Sequence, residues 1–175
     1  MEAYEAIMKR TSVRKFKDQP VPDELIEKVL HAAQAGPSCA DTRDWQFLVV
    51  KDKEMLAKMA DANGRFASPL KDCAFGVMVL GDLDRAFPGG KEYWVVDGAI
   101  AGQNMMIAAV ALGLGGVWLG TWPQMDRVER QRKLFGLPDN VEVHSLFAFG
   151  YPADEVKDYV SSKPLEKEQI HYEQW

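Results

Sequence analysis

Residues 99–120 read AIAGQNMMIAAVALGLGGVWLG, and no charged side chain occurs anywhere in residues 98–125. The stretch is long enough to span a bilayer. Against that reading, Gln103 and Asn104 sit side by side early in it, and Gly113, Gly115 and Gly116 would break a helix well before its end. A buried helix over 97–112 followed by a buried strand over 116–120 explains both features. A helix apolar on all sides lies at the centre of something larger. In a small domain its outer face is therefore expected to be covered by a second subunit, and no membrane association is expected.

Around this core the pattern alternates helices with strands. Residues 2–11 read as a helix. After an extended link through Pro20 and Pro22, Asp23 caps a second helix, in which Leu25, Ile26, Val29, Leu30 and Ala33 fall at helical spacing and Gly36-Pro37 stops the run. Residues 45–50 form a β-rich run, 53–62 a helix, and 75–80 a continuous apolar strand of the kind buried on both faces. Residues 126–135 are an amphipathic helix with a charged face, and 143–149 a last strand ending at Gly150-Tyr151-Pro152. Strands separated by helices predict a layered α/β sheet. Nothing repeats and no linker divides the chain, so residues 1–175 are expected to form a single domain. The polar tail after Ala153 must dock on something to be ordered.

The chain has 175 residues and a net charge of −5, with a sequence pI of about 5.3. It is large enough to bury a real core. Its sign argues against general affinity for nucleic acid or anionic lipid, since both require a positive field. Cys39 and Cys73 show neither Cys-x-x-Cys spacing nor a ligand cluster with His31, His144 or His171, so no metal site is expected and the thiols are read as unbridged. The opening MEAYEAIMKR has acidic residues where a signal peptide would carry positive charge before an apolar stretch. A reduced, cytoplasmic setting is the expectation.

One local feature runs against the global charge. Lys9-Arg10-Thr11-Ser12-Val13-Arg14-Lys15-Phe16 packs four cations and two hydroxyls into eight residues. Arginine forks and hydroxyls together satisfy a phosphate with geometric specificity; equally, cations at a helix C-terminus are favoured by its dipole. No Gly-x-Gly-x-x-Gly follows a strand, and no Walker motif or Gly-x-Ser-x-Gly elbow occurs. The glycines at 113, 115 and 116 follow a helix and precede a strand, the wrong polarity for a phosphate cradle. His31 stands one turn after Glu27 on a helix, and His144 lies in an apolar strand as a structural histidine. Nucleophile, general base and metal ligand all lack convincing candidates, so any chemistry is expected to come from a cofactor.

Three segments in order, Arg10 to Phe16, Pro37-Ser38-Cys39-Ala40-Asp41-Thr42-Arg43-Asp44-Trp45, and the long central helix followed by Gly113-Leu114-Gly115 and Trp118-Leu119-Gly120, resemble the nitroreductase family of FMN-dependent oxidoreductases. Gly150-Tyr151-Pro152 and Lys163-Pro164-Leu165 fit the end of the pattern, so the resemblance covers nearly the whole chain. It departs at Asp41, where the family usually has Asn, and at Arg43-Asp44, where it has Gln-Pro. At the C-terminal end Lys163 replaces an arginine-rich clamp. The stretch between Leu83 and Trp94 is too short for the helical lid of larger relatives, which implies a more open pocket.

The resemblance implies a layered α-β-α fold with a central mixed sheet in an intertwined homodimer, with FMN at the interface. Arg10, Ser12 and Lys163 would hold the phosphate, with Thr11 contributing backbone, and Arg14 would lie near the pyrimidine edge of the flavin, where a cation stabilises its reduced form. Pro37, Ser38 and Cys39 would come from the partner subunit and pack on the ring. Leu119 and Gly120 would bring a backbone N–H toward flavin N5. NAD(P)H would reduce the flavin and leave, and an electron-poor acceptor such as a nitroaromatic or quinone would take its place. The alternative is an FMN-binding module without turnover, in which the altered loop at Arg43-Asp44 blocks the acceptor.

Overall fold

The computed structural model describes residues 1–154 and 164–175; the sequence-derived phosphate contact at Lys163 lies outside them. Its elements in chain order are α1 (Ala3–Lys9), α2 (Asp23–Gln34), β1 (Trp45–Val50), α3 (Lys53–Asn63), a single-turn α4 (Pro69–Asp72), β2 (Phe75–Asp82), α5 (Trp94–Ala111), β3 (Gly115–Gly120), α6 (Met125–Phe135) and β4 (Val141–Gly150), with short 3-10 turns between them. The strands form one sheet in the order β1-β2-β4-β3.

Period-two alternation along the central strands creates the layers. Phe75, Val77, Val79, Phe147 and Phe149 point to one face, where they meet Val29 and Ala33 of α2 and Ala101, Met105 and Ala109 of α5. Met78, Leu80, Leu146 and Ala148 point to the other, against Leu56 and Met59 of α3, Leu70 of α4 and Val128 of α6. The result is the expected α-β-α sandwich. Every ladder between the four strands is antiparallel, so the parallel component of the expected mixed sheet is confined, among the described residues, to a single bridge between Ser12 and Gly116. Antiparallel pairing of β1 with β2 follows from the chain's path. It leaves β1 at Val50 and, after α3 and α4, re-enters beside the same residue at Gly76.

The segment Lys91–Ala111 has the length and composition to cross a membrane, but packing accounts for its apolarity. The buried residues of α5 are Trp94, Asp97, Gly98, Ala101, Gly102, Met105, Met106 and Ala109, one stripe at helical spacing. Two glycines let the helix lie close on the sheet. A Cβ at Gly98 would come within 3.0 Å of the His144 ring, and one at Gly102 within 2.5 Å of Phe147 Cζ and 3.0 Å of Trp118. Asn104 turns to α2 and donates to the Ala32 carbonyl at 3.1 Å. Val96 and Gln103 are left exposed on the outer side. The helix C-terminus closes through Gly113 in the left-handed region, φ 78°.

Sequence boundaries for α1 and α5 shift for tertiary reasons. Helix α1 stops at Lys9 rather than residue 11, because Val13 N–H bonds the Gly116 carbonyl at 2.9 Å and draws the following residues out along β3. Helix α5 begins three residues early, at Trp94, whose ring fits against Gly81 of β2. We expect Gly102→Ala to destabilise the fold by about 1–3 kcal/mol through overpacking, read as a lower urea midpoint. Gly120→Ala, with open space around its Cβ, is expected to leave that midpoint within about 0.5 kcal/mol.

Candidate active site

The site is built on the free edge of β3. In an antiparallel ladder both backbone groups of a residue point to the same side, and the side alternates along the strand. Gly116 directs its carbonyl outward, to Val13. Trp118 and Gly120 therefore also face outward, while Leu119 is committed to its pairing with Leu146 on β4. The Gly120 carbonyl bears this out. It accepts from Asn63 Nδ2 at 3.2 Å and from Arg127 Nη1 at 3.0 Å. Asn63 is itself fixed, accepting from the buried Thr121 hydroxyl at 2.8 Å. Helix α6 secures the end of α3 through Arg130 Nε on the Ala62 carbonyl and Gln131 Nε2 on the Met59 carbonyl.

A groove of about 170 Å³ lies along this edge, lined by Arg14, Asn63, Phe66, Val117, Trp118, Leu119, Gly120 and Arg127. It combines apolar walls, an aromatic platform in Phe66, two guanidinium groups and no carboxylate. Arg14 bends back so that its Nη1 donates to the Ser12 carbonyl at 3.2 Å. Such a surface suits a planar ring with an electron-rich polar edge. Its volume is below the roughly 300–1,000 Å³ of a complete small-ligand pocket, so one chain offers part of a site.

The sequence-derived candidates divide into groups. Arg14, Leu119 and Gly120 come together in the groove. The Leu119 side chain is buried in the core, so the outward N–H belongs to Gly120. Thr11 lines a neighbouring groove with Lys9, Val13, Val110, Gly115 and Pro152, because alternate residues of an extended segment face opposite ways. Arg10 ends α1 and gives its own N–H to the Ala6 and Ile7 carbonyls; its side chain and that of Ser12 line neither groove.

Pro37, Ser38 and Cys39 lie at the head of α5. The Cys39 N–H donates to both carboxylate oxygens of Asp97, at 3.0 and 3.1 Å. Ser38 Oγ accepts from the Arg43 N–H at 2.9 Å. None of the three lines the Arg14 groove. Asn63, Phe66 and Arg127 escaped the sequence reading. Arg127 was hidden in a charged helical face, although a helix that starts five residues after Gly120 has to return over that strand end.

The loop that follows is strained, with Ala40, Asp41 and Arg43 in the left-handed region at φ 50°, 53° and 49°. Asp and Asn tolerate this conformation best among non-glycine residues, so Asp41 keeps the backbone that an Asn would adopt. An ion pair from Arg43 Nε to Asp41 Oδ1 at 2.9 Å ties the loop together. His144 is enclosed by Trp94 and Trp118, with ring centroids 5.8 and 5.7 Å away. Its Nδ1 lies 2.8 Å from Ser145 Oγ, and burial lowers its pKa to about 4. It is a neutral structural histidine.

The nitroreductase family model matches residues 7–89 and 72–151. A protein of Methanothermobacter thermautotrophicus described as "Putative NADH dehydrogenase/NAD(P)H nitroreductase" is 41% identical over 178 residues, covering 100% of this chain and 88% of the relative. The chain belongs to the nitroreductase family. The crystal structure of a protein of the same description from Parabacteroides distasonis superposes with a TM-score of 0.90 at 36% identity, over 99% of this chain and 98% of the other. An FMN-dependent nitroreductase from Clostridium difficile gives 0.87 at 28% identity, over 97% and 98%.

Among nitroreductase features, this chain's departure at Asp44 has a measurable consequence. Asp44 is 1% exposed, and neither carboxylate oxygen has a hydrogen-bond partner among the described residues. Burial, reinforced by the charge of Asp97, pushes its pKa from 3.8 up to about 6. The folded state therefore binds the proton more tightly than the unfolded chain, and stability falls as pH rises between those two values. We expect Asp44→Asn to be more stable than the parent above pH 6, by at most about 3 kcal/mol. That difference should shrink toward zero at pH 4, as measured by urea denaturation across the range.

Proposed function

We propose that the chain is an FMN-dependent oxidoreductase that carries electrons from NAD(P)H through flavin N5 to an electron-poor acceptor such as a nitroaromatic or quinone. The observation that carries this reading is the outward N–H of Gly120, which shares a carboxylate-free groove with Arg14. Bound FMN would supply the two-electron chemistry. Gly120 would offer a backbone donor to the flavin, its N–H oriented outward by the pairing of Leu119 with Leu146 and the following peptide held by Asn63 and Arg127. Arg14 offers positive charge to the ring edge that becomes negative on reduction. Arg10 and Ser12 are assigned to the phosphate, with the Thr11 backbone beside them.

The partial groove supports a homodimer in which Pro37, Ser38 and Cys39 of one subunit close the site of the other. Asp97 then has a positioning role, since it holds the Cys39 backbone.

Purified protein is expected to show a flavin spectrum that NADH or NADPH bleaches under anaerobic conditions. A flavin that neither nucleotide bleaches would favour the binding module without turnover, and no flavin after reconstitution would refute the proposal. Replacing Arg10 and Ser12 together by Ala should weaken FMN binding at least tenfold in a fluorescence titration.

A further inference from the structure

Two arginines line the groove and a third, Arg65, which borders a separate hollow with Asp61 and Lys71, reaches its aromatic rim; none of the three forms an ion pair among the described residues. Arg14 and Arg127 are the lining pair, and the Arg65 guanidinium stands 4.6 Å from the centre of the Phe66 ring that forms the rim. Phe66 is 68% exposed, and the Arg65 guanidinium lies over its ring. On a protein of net charge −5, this opening is lined by two guanidiniums and no carboxylate. Arg127 is half-buried and braced on the Gly120 carbonyl, so the loss of side-chain freedom on binding an anion is small.

We propose that Arg65, Phe66 and Arg127 form an anion-selective rim, so that ligands reaching the flavin face carry an anionic group on a planar ring. This rests on the oxidoreductase reading and narrows its substrate class. Phe66 supplies the stacking surface, and the two guanidiniums receive a carboxylate, sulfonate or phosphate at the ring's outer end. The anionic group has two sources, an acidic acceptor or the phosphates of the nicotinamide dinucleotide. Because donor and acceptor visit in turn, their kcat/KM values report on each source separately.

The test compares 4-nitrobenzoate with neutral 4-nitrobenzamide as acceptors, and NADPH with NADH as donors, for the parent, Arg65→Gln, Arg65→Glu and Arg127→Gln. Quenching of tryptophan fluorescence gives the dissociation constants of both nitro compounds without turnover, and low and high salt are compared. We expect the nitrobenzoate-to-nitrobenzamide ratio, in kcat/KM and in affinity, to fall about fivefold in each Gln variant. The fall should be larger in Arg65→Glu, and the parent's preference should weaken with salt. A selective loss on the donor side alone would support the rim with the dinucleotide as its ligand. Equal losses for charged and neutral ligands, or no change in any ratio, would overturn the proposal. Failure of the oxidoreductase reading would show instead as flavin that neither nucleotide bleaches, and the binding ratios would still decide the rim.

Discussion

The close approach of α5 to the sheet is the constraint on which the other arrangements depend. With no side chain at Gly98 and Gly102, the helix lies directly on His144, Phe147 and Trp118. It lies over a continuous aromatic layer that the β2–β4 register builds from Phe75, Phe149 and Phe147, with centroids 5.2 and 6.0 Å apart. That proximity also sets where the first turn of α5 begins. Asp97 is thereby brought beside the Pro37 to Cys39 loop, where a carboxylate in the first helical turn can accept a backbone N–H and also be favoured by the helix dipole. One packing distance thus fixes both ends of a region that a bound ring would have to share.

The opposite side of the sheet fixes the edge of β3. Edge strands expose unpaired backbone groups and are commonly blunted. Here the first part of the edge is covered by Ser12 and Val13 and the carbonyl of Gly120 by Asn63 and Arg127. What stays open is a short length of backbone between two arginines. In the oxidoreductase we propose, main-chain geometry made rigid by the ladder would stand in place of acid or base side chains. This agrees with a neutral His144 and with Cys73, whose thiol burial pushes up to about 12.

Most of the fold could be read in advance because its signals were local. Strand β1 was delimited at Trp45 and Val50 by β-rich composition, and the long helix by an absence of charge. What escaped depended on contacts far apart in sequence. The end of α1 is set by a bond from Val13 to Gly116, and no periodicity within residues 2–11 encodes it. Asp97 looked like a helix boundary because acidic residues favour that position, yet it lies inside the first turn and answers to Cys39. Asn63 and Thr121 are each unremarkable until the fold pairs them. Arg14 and Gly120 were found through family resemblance, whereas Arg127 was masked by its charged neighbours on α6.

The loop from Ala40 to Asp44 joins these themes. Its left-handed residues and the uncompensated Asp44 carboxylate both cost stability, and neither contributes to the core. A segment that raises the energy of the folded chain persists only when the surrounding structure over-determines it. Here the anchors are Asp97 on one side, through Cys39, and the β1-β2 ladder on the other, where the Asp82 N–H reaches the Asp44 carbonyl at 2.8 Å. The loop is therefore held taut between the head of the central helix and the sheet. In a second subunit's site, such a loop would present Pro37, Ser38 and Cys39 as a fixed wall instead of a mobile cover, consistent with a protein that lacks a long lid between β2 and α5.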